Sequence, residues 1–417
     1  MLANDHGFNV LKINPINLMK IIFDFQDMSG GAPNSQFAHM MLMHKKGHTV
    51  IATIGRNHEM LSKKINPIKI IGIKNFNLNN PINSFKSIFD WIHIIKKEKP
   101  DIIHSNRPVQ NRMLAIVSRL TGIPLVFAQA GGKVKYAEVL PLLGYTAIVY
   151  SKENYAAFLK AGFKKADINL ISNRLPSIVQ NNLNASQRAN ELKIILTGNI
   201  KDDTIKGIRF FLNLLQDNIT NIQKPIIVYL AGKDISENKV YDKEIKAKIE
   251  NINNCLPAHS KIHYLGWVDD ITKIQLESDI CIGKGRSVLQ PAMEGKISYV
   301  ISEKGLLTRI KKSTFDQLYY FNFSGRGFQE NNADEFVKLL VDRSLIQSLA
   351  HESFEAKEQI NKVYNISFAY EKLLKTYKKA LEKNNKNEEG RHLHALNLII
   401  KIYYLKLKHN NKQVEIQ

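Results

Sequence analysis

Ser278-Asp279-Ile280-Cys281-Ile282-Gly283-Lys284-Gly285-Arg286-Ser287-Val288-Leu289-Gln290-Pro291-Ala292-Met293-Glu294-Gly295 reads as a short buried strand, a loop with two glycines and two cations, and a short helix. Glycine lets the backbone come close to a ligand, and a helix start offers unbonded N–H groups to an anion. Lys284 and Arg286 add positive charge at the same point. A phosphate or diphosphate suits this pattern, and Gln290, one turn into the helix, is placed to hydrogen-bond a sugar hydroxyl. Taken alone, the loop also fits an ordinary strand–loop–helix with solvated cations. Its position in the chain favours the ligand.

Working outward, strand candidates precede and follow it at Lys193 to Thr197, Ile226 to Ala231, Ile262 to Leu265 and Tyr299 to Ile301. The first half shows the same rhythm, with strands at Lys20 to Phe25, Thr49 to Ile54, Ile68 to Ile71, Asp101 to His104, Leu125 to Ala128 and Ala147 to Tyr150. Helical patterns fall around 86–98, 110–121 and 152–161, and one carrying Phe37, Met40 and Met41 ends at Gly47. Short strands alternating with helices imply right-handed βαβ units and a parallel sheet.

The polar run Gln180 to Asn190 has the composition of a linker. The expected fold class is therefore α/β, with two doubly wound Rossmann-like domains facing a cleft: residues 19–178, a linker over 179–190, and residues 191–360. A closing helix is expected over 361–383, with Phe368, Tyr370, Leu373, Leu374 and Tyr377 on its apolar stripe. Residues 384–417 follow as a basic amphipathic tail. Ligands of open α/β sheets bind at the carboxyl ends of the strands, where both the Gly30-Gly31 loop and the Gly283–Arg286 loop lie.

The chain has 417 residues, 44% hydrophobic and 23% charged, as in globular proteins. Cys255 and Cys281 share no metal-ligand spacing, which fits a reducing compartment. Residues 1–18 read as an irregular extension without the apolar run of a signal peptide, and Met19 is a candidate start. No apolar run reaches the ~18 residues of a membrane span. The net charge of +21 suits a polyanionic partner, although abundant lysine alone also produces it. P-loop, HExxH and GxSxG motifs are absent, and His392 and His394 lack a third ligand, so no metal site is expected.

The order of these motifs resembles the GT-B nucleotide-sugar glycosyltransferases, specifically retaining glycosyltransferase family 4 (group 1), from about Met19 to Tyr377. The resemblance is carried by Phe25-Gln26-Asp27-Met28-Ser29-Gly30-Gly31, Gly47-His48-Thr49-Val50, Pro100-Asp101-Ile102-Ile103-His104 and Gly122-Ile123-Pro124-Leu125-Val126. In the second half it continues through Gly198 with Lys206-Gly207, Ala231-Gly232-Lys233, Leu265-Gly266-Trp267-Val268-Asp269-Asp270 and the opening stretch. It implies a second domain that holds the donor and a first that faces the acceptor. Lys206 and Arg286 would then stabilise the departing diphosphate as catalytic cations. Gly30, Gly31, Gly198, Trp267, Gly283, Lys284, Gly285, Ser287 and Gln290 would bind the nucleotide sugar. From the residues alone, Trp267 reads as core, and His104, ending a buried strand, as structural.

Three positions depart from the family pattern. Ile282 stands where a glutamate contacts the donor sugar, Asn199 where an arginine often follows glycine, and Ala130 where a histidine precedes Gly131. The implied activity is transfer of a sugar from a nucleotide-diphosphate sugar to a lipid-linked or polysaccharide acceptor. Retention of stereochemistry, no metal or other cofactor, and a role in capsule, O-antigen or lipopolysaccharide assembly are also implied. The expected location is cytoplasmic, with the basic tail peripheral on the anionic inner membrane face. A sugar-nucleotide epimerase and a non-catalytic relative are the competing readings. Nucleic-acid binding rests on net charge alone and is not expected.

Overall fold

The computed structural model describes residues 18–25, 31–55, 67–73, 81–107, 110–131, 144–177, 191–236, 239–327, 330–385 and 395. Gly30, the linker, the irregular extension before Leu18 and nearly all of the basic tail lie outside them.

Lys20–Phe25 (β1) buries every side chain from Ile21 onward. Its side chains alternate, with Ile22 in one apolar cluster and Ile21, Phe23 and Phe25 in the other. A strand buried on both faces is the mark of a parallel sheet covered by helices on each side. There follow α1 (Gly31–Lys45), β2 (Thr49–Ile54), β3 (Lys69–Gly72), α2 (Pro81–Glu98) and β4 (Ile102–Ser105). Then come α3 (Gln110–Thr121), β5 (Leu125–Gln129), β6 (Thr146–Val149), α4 (Lys152–Lys160) and β7 (Ile168–Leu170). The strands form a parallel sheet in the order β3-β2-β1-β4-β5-β6-β7.

The second domain begins with β8 (Leu192–Thr197), α5 (Ile205–Asp217), β9 (Ile226–Ala231), α6 (Val240–Asn253) and β10 (Lys261–Gly266). It continues through α7 (Thr272–Glu277), β11 (Ile280–Gly283), α8 (Arg286–Met293), β12 (Ile297–Ile301) and β13 (Leu307–Arg309). Helices α9 (Lys312–Tyr320), α10 (Ala333–Val341) and α11 (Leu345–Tyr364) complete it. The sheet order is β10-β9-β8-β11-β12-β13, parallel except for the antiparallel β12–β13 pair. The doubly wound α/β architecture expected from the sequence is present twice.

The strand order reverses between β1 and β4 in the first sheet and between β8 and β11 in the second. Such a reversal opens a crevice beyond the strand ends, the usual ligand position in this architecture.

Two chain crossings join the domains, and they are hydrogen-bonded to each other. The amides of Arg174 and Leu175 both donate to the Tyr364 carbonyl, at 2.9 and 3.0 Å. Asn173 Nδ2 donates to the carbonyls of Lys362 and Asn365, at 3.2 and 3.1 Å. The closing helix differs from expectation in its start: α11 runs to Tyr364, and α12 spans Tyr370–Asn385. Asn365 breaks the path, because its side chain accepts the Ser367 amide and caps a short turn. Phe368 is consequently exposed rather than on the apolar stripe. Tyr370, Leu373, Leu374, Tyr377 and Ala380 do pack onto the first domain's core.

Candidate active site

Register decides which loops meet. β8 and β11 pair with Gly283 opposite Thr197, so the loops leaving both strands emerge side by side at the second crevice. Gly283 is needed for this closeness: a Cβ there would lie 2.5 Å from Ser287 Oγ and 2.9 Å from the Thr197 carbonyl oxygen. The Ser287 hydroxyl lies 3.1 Å from that oxygen and 3.0 Å from the Lys284 carbonyl oxygen, and it accepts the Lys284 amide at 3.2 Å. Gly283 and Ser287 thus build the loop, and the Ser287 hydroxyl is turned inward.

Gly285 follows at φ +57° and ψ −124°, a conformation that requires glycine, and its amide donates to the Phe323 carbonyl at 2.7 Å. The chain then enters α8. The amides of Arg286 and Ser287, the first two residues of that helix, donate to no atom among the described residues. Arg286 Nη1 is buried with no hydrogen-bond partner among the described residues. Burial, with the neighbouring Arg174 adding repulsion, pulls the Arg286 pKa down to about 10. Two unbonded amides at a helix head and an unsatisfied guanidinium nitrogen form an arrangement that can hold an anion.

Lys284 Nζ donates to the Asp203 carbonyl at 3.1 Å, tying this loop to the one that leads into α5. Burial lowers its pKa. Lys206 is the second residue of α5, exposed and without a partner among the described residues. A cation at a helix head works against the helix dipole, so its position there is not a helix-stabilising one.

Gly198 and Trp267 line one small pocket with Thr197, Asn199, Ala231, Gly232, Val268 and Ile271, at the ends of β8, β9 and β10. Trp267 corrects its reading as a core residue, since it is 47% exposed. Its Nε1 donates to Asp269 Oδ1 at 2.8 Å, which fixes the ring at the pocket rim. Gln290 is half-buried on α8. Ile282 is buried in the sheet core, where it meets no ligand. Gly31 is exposed at the head of α1 with open space beside it, in the other domain.

Several charged or polar groups near the crevices carry no local sequence signal. At the first crevice, Asp24 is fully buried and accepts from Thr53 Oγ1, Ser105 Oγ and Arg107 Nη1 at 3.0, 3.0 and 3.2 Å. Burial raises its pKa, opposed by the Arg107 charge and these hydrogen bonds. Asn106 Nδ2 is buried beside this pair without a partner among the described residues. Between the domains, the Arg174 guanidinium lies 5.1 Å from both the Tyr150 and Tyr364 rings. It donates to the Ser172 carbonyl at 2.9 Å and to Asn322 Oδ1 at 2.5 Å. Asn322 closes against the first domain, because a Cβ on Gly131 would come within 2.7 Å of its Nδ2. Arg326 Nη2 adds a 2.5 Å ion pair with Glu153. Only the pairing of distant segments reveals these contacts.

His104 is structural, as its strand position implied. Its Nδ1 meets the Tyr377 hydroxyl at 2.7 Å, and its ring stacks on Phe23.

Residues 38–183 match the model of the glycosyl transferase 4-like family. No curated protein matches the sequence. Among solved structures, a glycosyltransferase from Rickettsia africae ESF-5 superposes with a TM-score of 0.67 at 17% identity, over 88% of this chain and 99% of that one. Anabaena HepE in complex with UDP and glucose superposes at 0.62 with 15% identity, over 86% and 99%. The UDP-GlcNAc 2-epimerase of Neisseria meningitidis, bound to UDP-GlcNAc, gives 0.54 and 14% over 86% and 100%. At these identities the superpositions establish the fold. The chain has the GT-B fold of these glycosyltransferases, and its residues 38–183 carry the sequence pattern of the glycosyl transferase 4-like family.

Proposed function

We propose that the chain is a glycosyltransferase that moves a sugar, with retention, from a nucleoside-diphosphate sugar to a lipid-linked or polysaccharide acceptor in cell-surface polysaccharide assembly. The observation that carries this reading is the anion site at the head of α8, with its two unbonded amides and the buried, unpaired Arg286 Nη1. In the proposed reaction the anomeric carbon–oxygen bond to the diphosphate breaks, and negative charge grows on the leaving group. Arg286 and the α8 amides would take up that charge without reorganising, and Lys206 would approach from the head of α5. The pocket under Trp267 would hold the base, and Gln290 the ribose. The acceptor would enter from the first-domain crevice near Gly31 and Asn106.

One observation favours a second reading. Ile282 faces the core, where it cannot meet a sugar, and Asn199 brings no cation to the pocket it lines, so two groups that the family resemblance implies are missing here. A non-catalytic nucleotide-binding relative would have that pattern.

Calorimetric titration with UDP, GDP, ADP and CMP, on the wild type and on Lys206→Ala, tests the donor site. One nucleotide binding, and weakening about tenfold or more in the variant, is the expected result, the size of one charge-assisted contact. Binding of none of the four would refute the donor-site reading. Binding without turnover of any nucleotide sugar would select the non-catalytic one.

A further inference from the structure

Arg174 stands where the chain first crosses between the domains, and it is 3% exposed. Its guanidinium lies beside the Tyr150 and Tyr364 rings and donates to neutral acceptors, the Ser172 carbonyl and Asn322 Oδ1. No carboxylate among the described residues pairs with it or with Arg286. A buried charge is costly unless an opposite charge meets it, and here two of one sign are neighbours. They are near enough for the Arg174 charge to help lower the Arg286 pKa.

Packing places Arg174 against the head of α8. Leu175, next in the chain, shares an apolar cluster with Val288 and Leu289 of that helix. Asn322, which accepts from Arg174 Nη2, is followed by Phe323, whose carbonyl accepts the Gly285 amide at 2.7 Å. The Phe323 ring meets Tyr364 edge-on, with centroids 5.6 Å apart. Asn322 and Phe323 both sit at positive φ, +55° and +53°, a conformation that residues with side chains rarely adopt. The loop after α9 thus holds Arg174 to the helix head at a cost in backbone strain.

We propose that Arg174 is a second cation of the diphosphate site, meeting the leaving group from the domain crossing while Arg286 meets it from α8. Asn322 is the positioning residue that aims it. The inference rests on the donor-site reading and deepens it. Asn199 stands where the family resemblance implies an arginine, and Arg174 would supply the missing guanidinium from another part of the chain. A diphosphate held by both arginines turns their mutual repulsion into charge-assisted contacts. It also ties the donor to the crossing, because Tyr150 and Ser172 belong to the first domain and Asn322 and Tyr364 to the second.

Calorimetry on the full chain with UDP, GDP and ADP, each against its own nucleoside, reads the diphosphate's contribution as a ratio of two affinities. Arg174→Gln should weaken the diphosphate that binds about tenfold or more and leave its nucleoside unchanged. Arg174→Lys keeps the charge and should retain part of that preference. Asn322→Asp sets a carboxylate on the guanidinium, so the protein without nucleotide should unfold at higher urea while its diphosphate affinity falls. A merely structural arginine gives another pattern: a lower unfolding midpoint in Arg174→Gln, with equal losses for diphosphate and nucleoside. That pattern overturns the inference, as does an Arg174→Gln or Asn322→Asp protein that binds the diphosphate like the wild type. Weakened binding in Arg286→Ala beside unchanged binding in Arg174→Gln refutes this inference alone. A wild type that binds no diphosphate refutes the donor-site reading and this inference with it.

Discussion

Replacing Gly283 and Gly198 by alanine, one at a time, should change stability in opposite directions although both glycines sit in the same crevice. At Gly283 the added methyl meets Ser287 Oγ at 2.5 Å and the Thr197 carbonyl oxygen at 2.9 Å. The serine can rotate away, but only by giving up its hydrogen bonds to Thr197 and Lys284; the carbonyl belongs to the paired strand and cannot yield alone. Overpacking of this kind costs about 1–3 kcal/mol, and each hydrogen bond lost about 1 kcal/mol, so Gly283→Ala should lose about 2–4 kcal/mol. At Gly198 an added Cβ meets nothing within 4 Å, and the backbone is not in the left-handed region. Alanine there narrows the unfolded ensemble and should add about 0.4–1 kcal/mol. Its methyl nevertheless projects beside the Trp267 pocket, so nucleotide affinity should fall while stability rises. Urea unfolding followed by fluorescence, with calorimetry on the same samples, reads both quantities. Equal stability losses in the two variants, or a Gly283→Ala protein as stable as the wild type, would refute the close-packing account of the loop.

Arg286→Ala removes a buried guanidinium whose Nη1 has no partner among the described residues, so the protein without nucleotide should keep its unfolding midpoint or gain slightly, while nucleotide affinity drops about tenfold or more. A large stability loss without an effect on binding would make the residue structural. Acid should destabilise the first domain through His39, which is fully buried, donates from Nε2 to the Asn173 carbonyl at 2.7 Å, and is pulled by burial from 6.5 to about 4. A depressed histidine pKa means the unfolded chain takes up the proton first. The stability is therefore present above about pH 6.5 and is lost as pH falls toward 4, by about 3 kcal/mol in all. Urea midpoints between these limits should fall, and His39→Gln should give a shallower decline; an unchanged slope in that variant would assign the acid limb elsewhere.

The sequence shows the strands well because buried parallel strands are nearly continuous apolar runs. Lys20–Phe25, Thr49–Ile54 and Ile226–Ala231 have the bounds their composition predicts. The strands it does not show, β7 and β13, are three residues long and sit at sheet edges, so Ile168–Leu170 and Leu307–Arg309 carry no run to recognise. The anion loop was legible because its glycines, cations and helix start are contiguous. Trp267 was misjudged because the sequence does not show that it stands just past the end of β10. Arg174 and Asn322 were invisible for a different reason: they lie far apart in the chain, and nothing local in either segment encodes their contact. Ile282, which the resemblance aligns with a sugar-contacting position, is buried in the sheet, and that burial is not readable from its local sequence.

The return of α12 to the first domain has a consequence for synthesis. The first domain's own strands and α1 leave one flank of their core open until Tyr370, Leu373, Leu374 and Tyr377 arrive, and His48 and His104 wait there for the hydroxyls of Tyr370 and Tyr377. On a ribosome that adds residues from the amino end, this flank stays bare while the whole second domain is made. The domain that begins first is finished last, and the nascent chain must keep an apolar surface from aggregating for nearly half of its translation.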